Sequence, residues 1–154
     1  MTPAIIAAKR AGIPFVVHEY QHEGIGGYGE QAAAALGVEP ERVFKTLVAS
    51  LDRGDFAVAI VPVAKRLDLK ALAGALRAKR ASMAQEKDAE RATGYVVGGI
   101  SPLGQKRLLP AVIDNSILNY ETVYVSAGER GLQIELAPEH LARLMAARVA
   151  AISR

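Results

Sequence analysis

Apolar and polar positions along the chain predict a set of short strands. Val43–Leu51 and Phe56–Val63 are almost continuously apolar, and Asp52-Arg53-Gly54-Asp55 between them is typical of a hairpin connection. Leu132–Leu136 alternates cleanly, with its leucines and isoleucine on one face, and the glycines in Ala127–Gly131 predict a hairpin before it. The remaining predicted strands are Ile13–Tyr20, Lys79–Met83, Tyr95–Val97, Leu108–Asp114 and Thr122–Ser126.

Helical spacing and capping residues predict short helices between these strands. Thr2 is expected to cap a helix that begins at Pro3 and ends at Gly12, and Asp68 to cap a second helix. In that second helix the apolar stripe is Leu69, Leu72, Ala73 and Leu76. Two more helices are predicted at Glu30–Leu36 and Gln85–Thr93. A final helix beginning at Pro138 is predicted to bury Leu141, Leu144, Met145, Val149 and Ile152.

Short helices interleaved with hairpins favour an α+β fold with a mixed or antiparallel sheet and peripheral helices, rather than a regular βαβ array. The 154 residues are one domain's worth of sequence, and they contain no repeat, low-complexity tract or linker. The sequence therefore predicts a single domain that spans residues 1–154.

Composition excludes several classes of chemistry. The chain has no cysteine, which excludes disulfides, a thiol nucleophile and thiolate metal sites. A formal charge of +3 permits an acidic partner without requiring a nucleic acid. The longest apolar run, Phe56–Ala64, is far shorter than the ~20 residues of a membrane span, and the start lacks a signal-peptide pattern. We expect a soluble, cytoplasmic protein that does not contact a membrane.

Gly24–Gly29 matches the G-x-G-x-x-G fingerprint of dinucleotide-binding proteins. Three residues separate it from the preceding strand, the next helix has about two turns, and the following strand enters a hairpin instead of a crossover helix. These features argue against a cofactor, and no cofactor is predicted. The alternatives are a surface loop or a rim over a pocket, with Tyr28 as its large side chain.

The histidines do not form a metal-binding pattern. His18 and His22 lie in and just after a predicted strand, where four residues span roughly 13 Å. Two imidazoles that far apart cannot share one ion with bonds of about 2 Å. We expect structural or surface roles for both and for His140, and no metal site is predicted.

Gly98–Gly104 partly matches the G-x-S-x-G nucleophile elbow. Pro102 follows Ser101, however, and proline lacks the N–H that an oxyanion hole would use there. Ser101 is therefore not expected to be an acyl nucleophile. The segment is either a tight turn or a backbone cradle, in which Gly98 and Gly99 approach a ligand and direct their N–H groups to it.

Basic residues supply the other candidate chemistry. Lys45 shares a strand face with Val43 and Leu47, which is costly unless that face opens to a cavity or an anion, or the side chain reaches water. A longer basic stretch is either a solvated helix face or a surface for phosphates. It comprises Lys65, Arg66, Lys70, Arg77, Lys79 and Arg80, with Lys106-Arg107 as a second cluster.

Longer segments resemble a known family. Thr93–Lys106 is similar to the signature stretch of the YbaK family, freestanding relatives of the editing domain inserted in bacterial prolyl-tRNA synthetase. Val43–Leu47 resembles the family's lysine-bearing strand, and Tyr124–Leu132 its late hairpin. The likeness covers essentially the whole chain and is greatest to the branch that deacylates Cys-tRNA(Pro).

The resemblance implies a strongly curved, barrel-like mixed sheet wrapped by helices. It implies that the protein removes cysteine from mischarged tRNA(Pro), with Lys45 as the essential residue and Gly98–Pro102 holding the 3′-terminal adenosine and the ester. The substrate-binding residues that it implies are Tyr20, Tyr28, Thr46, Gly98, Gly99, Ile100, Ser101, Pro102, Ser126 and Gly128.

In the mechanism that the family implies, the cysteinyl thiol attacks its own ester, and the protein supplies orientation and charge stabilisation. The expected partners are the 3′ end of mischarged tRNA(Pro) and, transiently, prolyl-tRNA synthetase. The protein itself is expected to be a monomer. Two alternatives stay open: deacylation of another amino acid, such as alanine on tRNA(Pro), and a non-catalytic module that binds RNA or a nucleotide.

Overall fold

The strands divide between two sheets in the computed structural model, which describes residues 1–24 and 27–154. In chain order the strands are β1 (Phe15–Glu19), β2 (Phe44–Leu51), β3 (Phe56–Pro62), β4 (Ala81–Met83), β5 (Ala111–Asp114), β6 (Val123–Ser126), β7 (Leu132–Leu136) and β8 (Arg148–Ala150). The α-helices are α1 (Pro3–Ala11), α2 (Tyr28–Leu36), α3 (Leu69–Ala75), α4 (Glu86–Thr93) and α5 (Pro138–Met145), and 3-10 turns span Pro40–Arg42 and Asn115–Asn119.

The larger sheet is mixed and the smaller one is antiparallel. The five-stranded sheet has the order β4-β2-β3-β5-β8, in which β5 runs parallel to both of its neighbours. The three-stranded sheet has the order β1-β7-β6. The two sheets meet where Val43 forms a parallel bridge with Tyr124. The predicted mixed α+β fold is confirmed, but the sheets are not closed, and the barrel-like curvature is not confirmed.

Both faces of the larger sheet are buried. Phe44, Val58 and Ile60 face a cluster that includes the smaller sheet, α1 and α5. Alternate residues of the same strands, including Ala49 and Val61, face α3 on the other side. Because β2 and β3 are covered on both faces, they are nearly continuously apolar, as the sequence indicated. A polar side chain on β2 therefore needs a cavity or a gap in the covering layers through which it can reach solvent or a ligand.

Local signals for helix ends are confirmed. The Thr2 hydroxyl accepts a hydrogen bond from the N–H of Ile5 at 3.2 Å, and Gly12 ends α1 with φ 69°. Asp68 accepts from the N–H of Ala71 at 3.0 Å at the start of α3. No helix in the described part of the chain is long and apolar enough to cross a membrane.

Two predicted elements are wrong. Tyr95–Val97 is a turn, because Gly94 ends α4 in the left-handed region and the Tyr95 hydroxyl donates to the carbonyl oxygen of Leu103 at 2.6 Å. The final helix ends at Met145, since Ala146 has φ 50°. The chain then adds β8 to the free edge of β5. Val149 is consequently 39% exposed, whereas Ile152 is buried beside α3.

Candidate active site

A cavity of about 400 Å³ opens beside β2, between α2, α4, the 97–100 loop and the β6–β7 hairpin. Six of the residues that the sequence singled out line it: Tyr28, Lys45, Thr46, Gly98, Ile100 and Ser126. They come from four separate segments of the chain. The fold therefore gathers the candidate lysine and part of the glycine segment around one concave surface.

The cavity lies at a gap in strand pairing. On its outer edge β2 pairs with β4 only over Ala49–Leu51, and the N–H of Ala84 donates to the Val48 carbonyl oxygen at 3.0 Å. Hydrogen-bonding direction alternates along a strand, so the Thr46 backbone faces the same edge as that of Val48. No described strand pairs with β2 at Thr46 on this side. Its backbone N–H and carbonyl groups consequently face the cavity.

Lys45 lies opposite Val61 in the β2–β3 ladder and is half-buried at the cavity wall. Within residues 1–24 and 27–154, its ammonium group has no carboxylate within ion-pair distance. The carboxylates of Glu30 and Glu86 belong to the cavity lining, but both residues are solvent-exposed. A partly desolvated cation without an ionic partner is suited to bind an anionic or strongly polar ligand.

Two buried oxygen atoms of the cavity lining, Thr46 Oγ1 and Gln133 Oε1, have no hydrogen-bond partner among the described residues. Gln133 is 6% exposed and lies directly opposite Ser126 in the β6–β7 ladder. A buried polar atom left unsatisfied costs about 1–3 kcal/mol. These oxygens, together with the Lys45 ammonium group, indicate a site for a ligand that carries several hydrogen-bonding groups.

Gly98 forms part of the cavity wall and packs without space for a side chain. Its φ is 90°, and a β-carbon there would lie 2.8 Å from Tyr28 Cε2 and 2.7 Å from Arg130 Nε. Val97, the preceding residue, is bonded to α4, because its N–H donates to Glu90 Oε2 at 2.7 Å. The 97–98 turn is thus fixed from both sides, and only glycine fits at its second position.

The rest of the glycine segment lies behind the cavity wall. Ser101 and Pro102 are buried, and Ser101 Oγ accepts from the N–H of Leu103 at 3.2 Å. The N–H of Gly99 donates to the Val96 carbonyl oxygen at 2.9 Å, so it is not directed to a ligand as we expected. Gly128 packs against Tyr95 and Thr2. These four residues support the wall without reaching the cavity surface.

Tyr20 is not brought to the cavity. It lies at the end of β1, in a separate shallow depression with Glu19, Gln21 and the 129–132 turn. Its N–H donates to the Gly131 carbonyl oxygen at 2.9 Å. The pairing of β1 with β7 sets the position of its backbone, and its half-buried side chain packs against a cluster that contains Val43, a residue of the cavity lining.

Sequence reasoning missed Gln133 and a group of smaller lining residues. In the alternation of β7 the leucines and Ile134 mark one face as core, and Gln133 lies on the opposite face, where a polar residue needs no explanation. Its relation to the cavity becomes apparent only once the β6–β7 hairpin places it opposite Ser126. The other missed lining residues include Met83, Ala84, Ala89 and Val97.

His18 has a structural environment, as expected. Its Nε2 lies 2.9 Å from Glu135 Oε1, and Thr122 Oγ1 donates to Glu135 Oε2 at 2.6 Å. Burial raises the pKa of Glu135, but these hydrogen bonds outweigh it and hold the pKa below its usual value. Among the residues that the structure describes, no three His, Asp or Glu side chains are grouped to hold a metal ion.

The glycine-rich fingerprint at Gly24–Gly29 includes Ile25 and Gly26, which lie outside the described residues. Its described end contributes to the cavity: Gly27, with φ 61°, precedes α2, and Tyr28 and Gly29 form the first turn. A β-carbon on Gly29 would lie 2.2 Å from Val63 Cγ1, so this glycine is needed for close packing on β3's end. The interpretation as a pocket rim is supported for Gly27–Gly29.

Comparison with known families gives one match by family model. Residues 22–144 match the aminoacyl-tRNA editing domain. A relative by sequence is EbsC of Enterococcus faecalis, named as a candidate Cys-tRNA(Pro)/Cys-tRNA(Cys) deacylase. It is 38% identical over 152 residues, which cover 99% of this chain and 93% of EbsC.

Solved structures agree with these matches. A crystal structure described as a candidate trans-editing enzyme for prolyl-tRNA synthetase superposes with a TM-score of 0.85 at 25% identity, covering 99% of this chain and 95% of the other. A crystal structure described as that of a hypothetical protein superposes with a TM-score of 0.89, also at 25% identity, covering 99% of this chain and 100% of the other. The similarity in fold therefore extends over the whole chain.

Proposed function

This chain belongs to the aminoacyl-tRNA editing domain family, and on that premise we propose that it clears cysteine from mischarged tRNA(Pro). The family's activity is cleavage of the ester that joins an amino acid to tRNA, so the chain is an aminoacyl-tRNA deacylase. The choice of cysteine and tRNA(Pro) is supported by the name of EbsC. It is also supported by the resemblance of the strand that carries Lys45, and of residues 93–106, to the corresponding segments of the family.

One observation carries the placement of the reaction. The Lys45 ammonium group and the oxygens of Thr46 and Gln133, all without a partner among the described residues, line a single cavity. We assign this cavity to the 3′-terminal adenosine and its aminoacyl ester. Lys45 would bind phosphate or ribose oxygens beside the ester, and the polar oxygens would accept hydrogen bonds from the ribose hydroxyl or the α-amino group.

Within its described residues the chain supplies no activated nucleophile: the Thr46 and Ser126 hydroxyls line the cavity, but the lining includes no histidine that could deprotonate them. The chain has no cysteine, and the Ser101 hydroxyl is buried behind the cavity wall. We propose that the substrate provides one. The cysteinyl sulfur attacks the ester carbonyl carbon and forms a C–S bond, the C–O bond to ribose breaks, and the thiol proton passes to the ribose oxygen. The products are a cyclic thioester and tRNA with a free 3′-terminal hydroxyl group.

The protein's contribution to this step is positioning and charge. The thiol and the ester carbonyl already belong to one aminoacyl group, so the protein's role is to restrict that group to conformations in which the sulfur approaches the carbonyl carbon. The Lys45 ammonium group is placed to stabilise negative charge as it develops on oxygen. Tyr28, Gly98, Ile100 and Ser126 are assigned to confining the aminoacyl group.

Two further assignments belong to the same proposal. Recognition of tRNA identity would be shared with prolyl-tRNA synthetase in a transient complex, because a chain of 154 residues offers little surface with which to read an anticodon as well as a 3′ end. The protein would act as a monomer in the cytoplasm, where aminoacylated tRNA is present.

The test is a deacylation assay with Cys-, Ser- and Ala-tRNA(Pro) in parallel. Serine is the matched control for cysteine, since it is nearly isosteric but a weaker nucleophile. Rapid loss of cysteine alone is expected. Equal loss of alanine would contradict thiol participation and assign the protein to alanine editing with water as the attacking group. Tight binding of tRNA without loss of any amino acid would indicate a non-catalytic RNA-binding module.

A further inference from the structure

A second concave surface, which we name the basic groove, lies next to the cavity and has a volume of about 650 Å³. It is formed by Ser50–Asp52 at the end of β2, by Leu69 and Lys70 at the start of α3, and by Lys79–Ser82. Lys70, Lys79 and Arg80 are all solvent-exposed along it. The proposed reaction uses none of these residues.

The cations of the basic groove have no partner within the described part of the chain, in contrast to neighbouring arginines. Arg53 is held by Asp55 at 2.9 Å and by the Leu76 carbonyl oxygen at 3.2 Å, and Arg148 donates to the Ala75 carbonyl oxygen at 2.7 Å. Those two arginines donate hydrogen bonds to carbonyl oxygens at the C-terminal end of α3. In the described ranges, by contrast, the side chains of Lys70, Lys79 and Arg80 form neither ion pairs nor hydrogen bonds with the protein.

The acidic residue of the groove, Asp52, accepts hydrogen bonds from the backbone of two basic residues, and its carboxylate also attracts the Lys79 charge. Its Oδ1 accepts hydrogen bonds from the backbone N–H groups of Lys79 and Arg80, both at 3.0 Å. The N–H of Asp52 in turn donates to the Arg80 carbonyl oxygen at 3.1 Å. Lys79 and Arg80 are thus fixed on the backbone while their side chains stay available to a ligand.

The basic groove is continuous with the cavity along β4. Ala81 and Ser82 line the groove, and the next two residues, Met83 and Ala84, line the cavity. On β2 the distance from Thr46 in the cavity to Ser50 in the groove is about 13 Å, at 3.3 Å per residue. A chain molecule whose end occupied the cavity would therefore reach the groove within a few of its units.

We propose that the basic groove binds the sugar-phosphate backbone of the tRNA acceptor stem while the aminoacylated 3′ end occupies the cavity. This assignment rests on the proposed function. An extended row of free cations suits the regularly spaced phosphates of a nucleic acid better than a small anion, which would need a converging pocket. The described lining of the groove contains no aromatic residue on which a base could stack, so we expect it to bind the backbone without reading the sequence.

The experiment compares two adjacent Lys-Arg pairs. Lys79→Ala/Arg80→Ala removes two groove cations, and Lys9→Ala/Arg10→Ala removes the same charge from the exposed last turn of α1. Each is assayed with full-length Cys-tRNA(Pro) and with cysteinyl-adenosine, which is too short to reach the groove. KM is measured at several salt concentrations.

The groove variant is expected to raise KM for the tRNA roughly tenfold at low salt. It should also reduce the slope of log KM against log salt by about 1.4–1.8, which corresponds to two phosphate contacts. Its cleavage of cysteinyl-adenosine and both activities of the α1 variant should match the wild type. An unchanged KM for tRNA, or equal losses on both substrates, would overturn the groove assignment alone. Wild-type protein that cleaved neither ester would overturn the proposed function as well.

Discussion

The Arg130 guanidinium group lies over the ring of Tyr28, 4.9 Å from its centroid, and Arg130 Nε donates to the Val97 carbonyl oxygen at 2.9 Å. One side chain on the β6–β7 hairpin thereby joins the first turn of α2 to the turn before Gly98. The rim of the cavity is made of three segments that are distant in sequence, and Arg130 connects them. Arg130 does not line the cavity itself, which makes it a positioning residue.

Arg130→Ala should release Tyr28 and loosen the rim. The cation–π contact is solvent-exposed and is worth about 0.5–1 kcal/mol, so the fold should be hardly affected. KM for aminoacyl-tRNA should rise severalfold with little change in kcat, because binding geometry is lost and the reacting groups are not. Steady-state kinetics separate the two parameters. In Arg130→Lys, KM should fall only part of the way back to the wild-type value, because lysine lacks the planar guanidinium group. A fall in kcat with KM unchanged would show that Arg130 acts elsewhere.

Gly98→Ala should abolish most activity. The substitution places a β-carbon 2.7–2.9 Å from Arg130 and Tyr28 and imposes an unfavourable backbone conformation at φ 90°. Gly54→Ala is a matched control, since Gly54 has φ 97° but open space around it, on the β2–β3 hairpin. Thermal unfolding should show a loss of stability in both variants, whereas kcat/KM should fall only for Gly98→Ala. Equal activity in the two variants would mean that the packing at Gly98 does not shape the site.

Stability should fall in acid because of Asp114. This carboxylate is 2% exposed and accepts hydrogen bonds from the N–H groups of Ile152 and Ser153 at 3.0 and 2.9 Å. Burial raises the pKa of Asp114, but the hydrogen bonds from Ser116, Ile152 and Ser153 outweigh it and lower the pKa overall. A depressed pKa in the folded state stabilises the protein at neutral pH. That contribution is lost as the pH falls below about 4.

Asp114→Asn tests this assignment. It should lower the free energy of unfolding at pH 7 by about 1–3 kcal/mol, because one buried hydrogen-bond arrangement is broken. It should also flatten the dependence of stability on pH between 5 and 3, measured by urea unfolding. Retention of the full acid dependence in Asp114→Asn would assign that dependence to other carboxylates, of which Glu135 is the first candidate.

The sequence predicted the local features of the site better than its assembly. Lys45 was identified because a charge on an apolar strand face needs an explanation, and that argument requires only the strand's own alternation. Gln133 was missed because its importance depends on Ser126 across the hairpin and on the gap beside β2. The resemblance implies Tyr20 as a substrate-binding residue, and the structure places it in a neighbouring depression, not in the cavity lining.

The same distinction applies to the fold. Caps at Thr2 and Asp68 act within one turn of helix, and they were predicted correctly. The strand β8 was not predicted, because its residues continue the helical apolar stripe of α5. Its formation depends on the free edge of β5, which supplies a parallel partner. Tertiary pairing overrides local periodicity at that point.

We propose that deacylation in the cavity depends on Lys45. The most direct test of this proposal is single-turnover cleavage of Cys-tRNA(Pro) by the wild type, Lys45→Ala and the surface control Lys9→Ala, with tRNA binding measured in parallel. Loss of a preorganised charge-stabilising group typically costs about 10²–10³-fold in rate, and we predict a loss of that size for Lys45→Ala alone, with tRNA still bound. A Lys45→Ala rate close to that of the wild type would contradict the account.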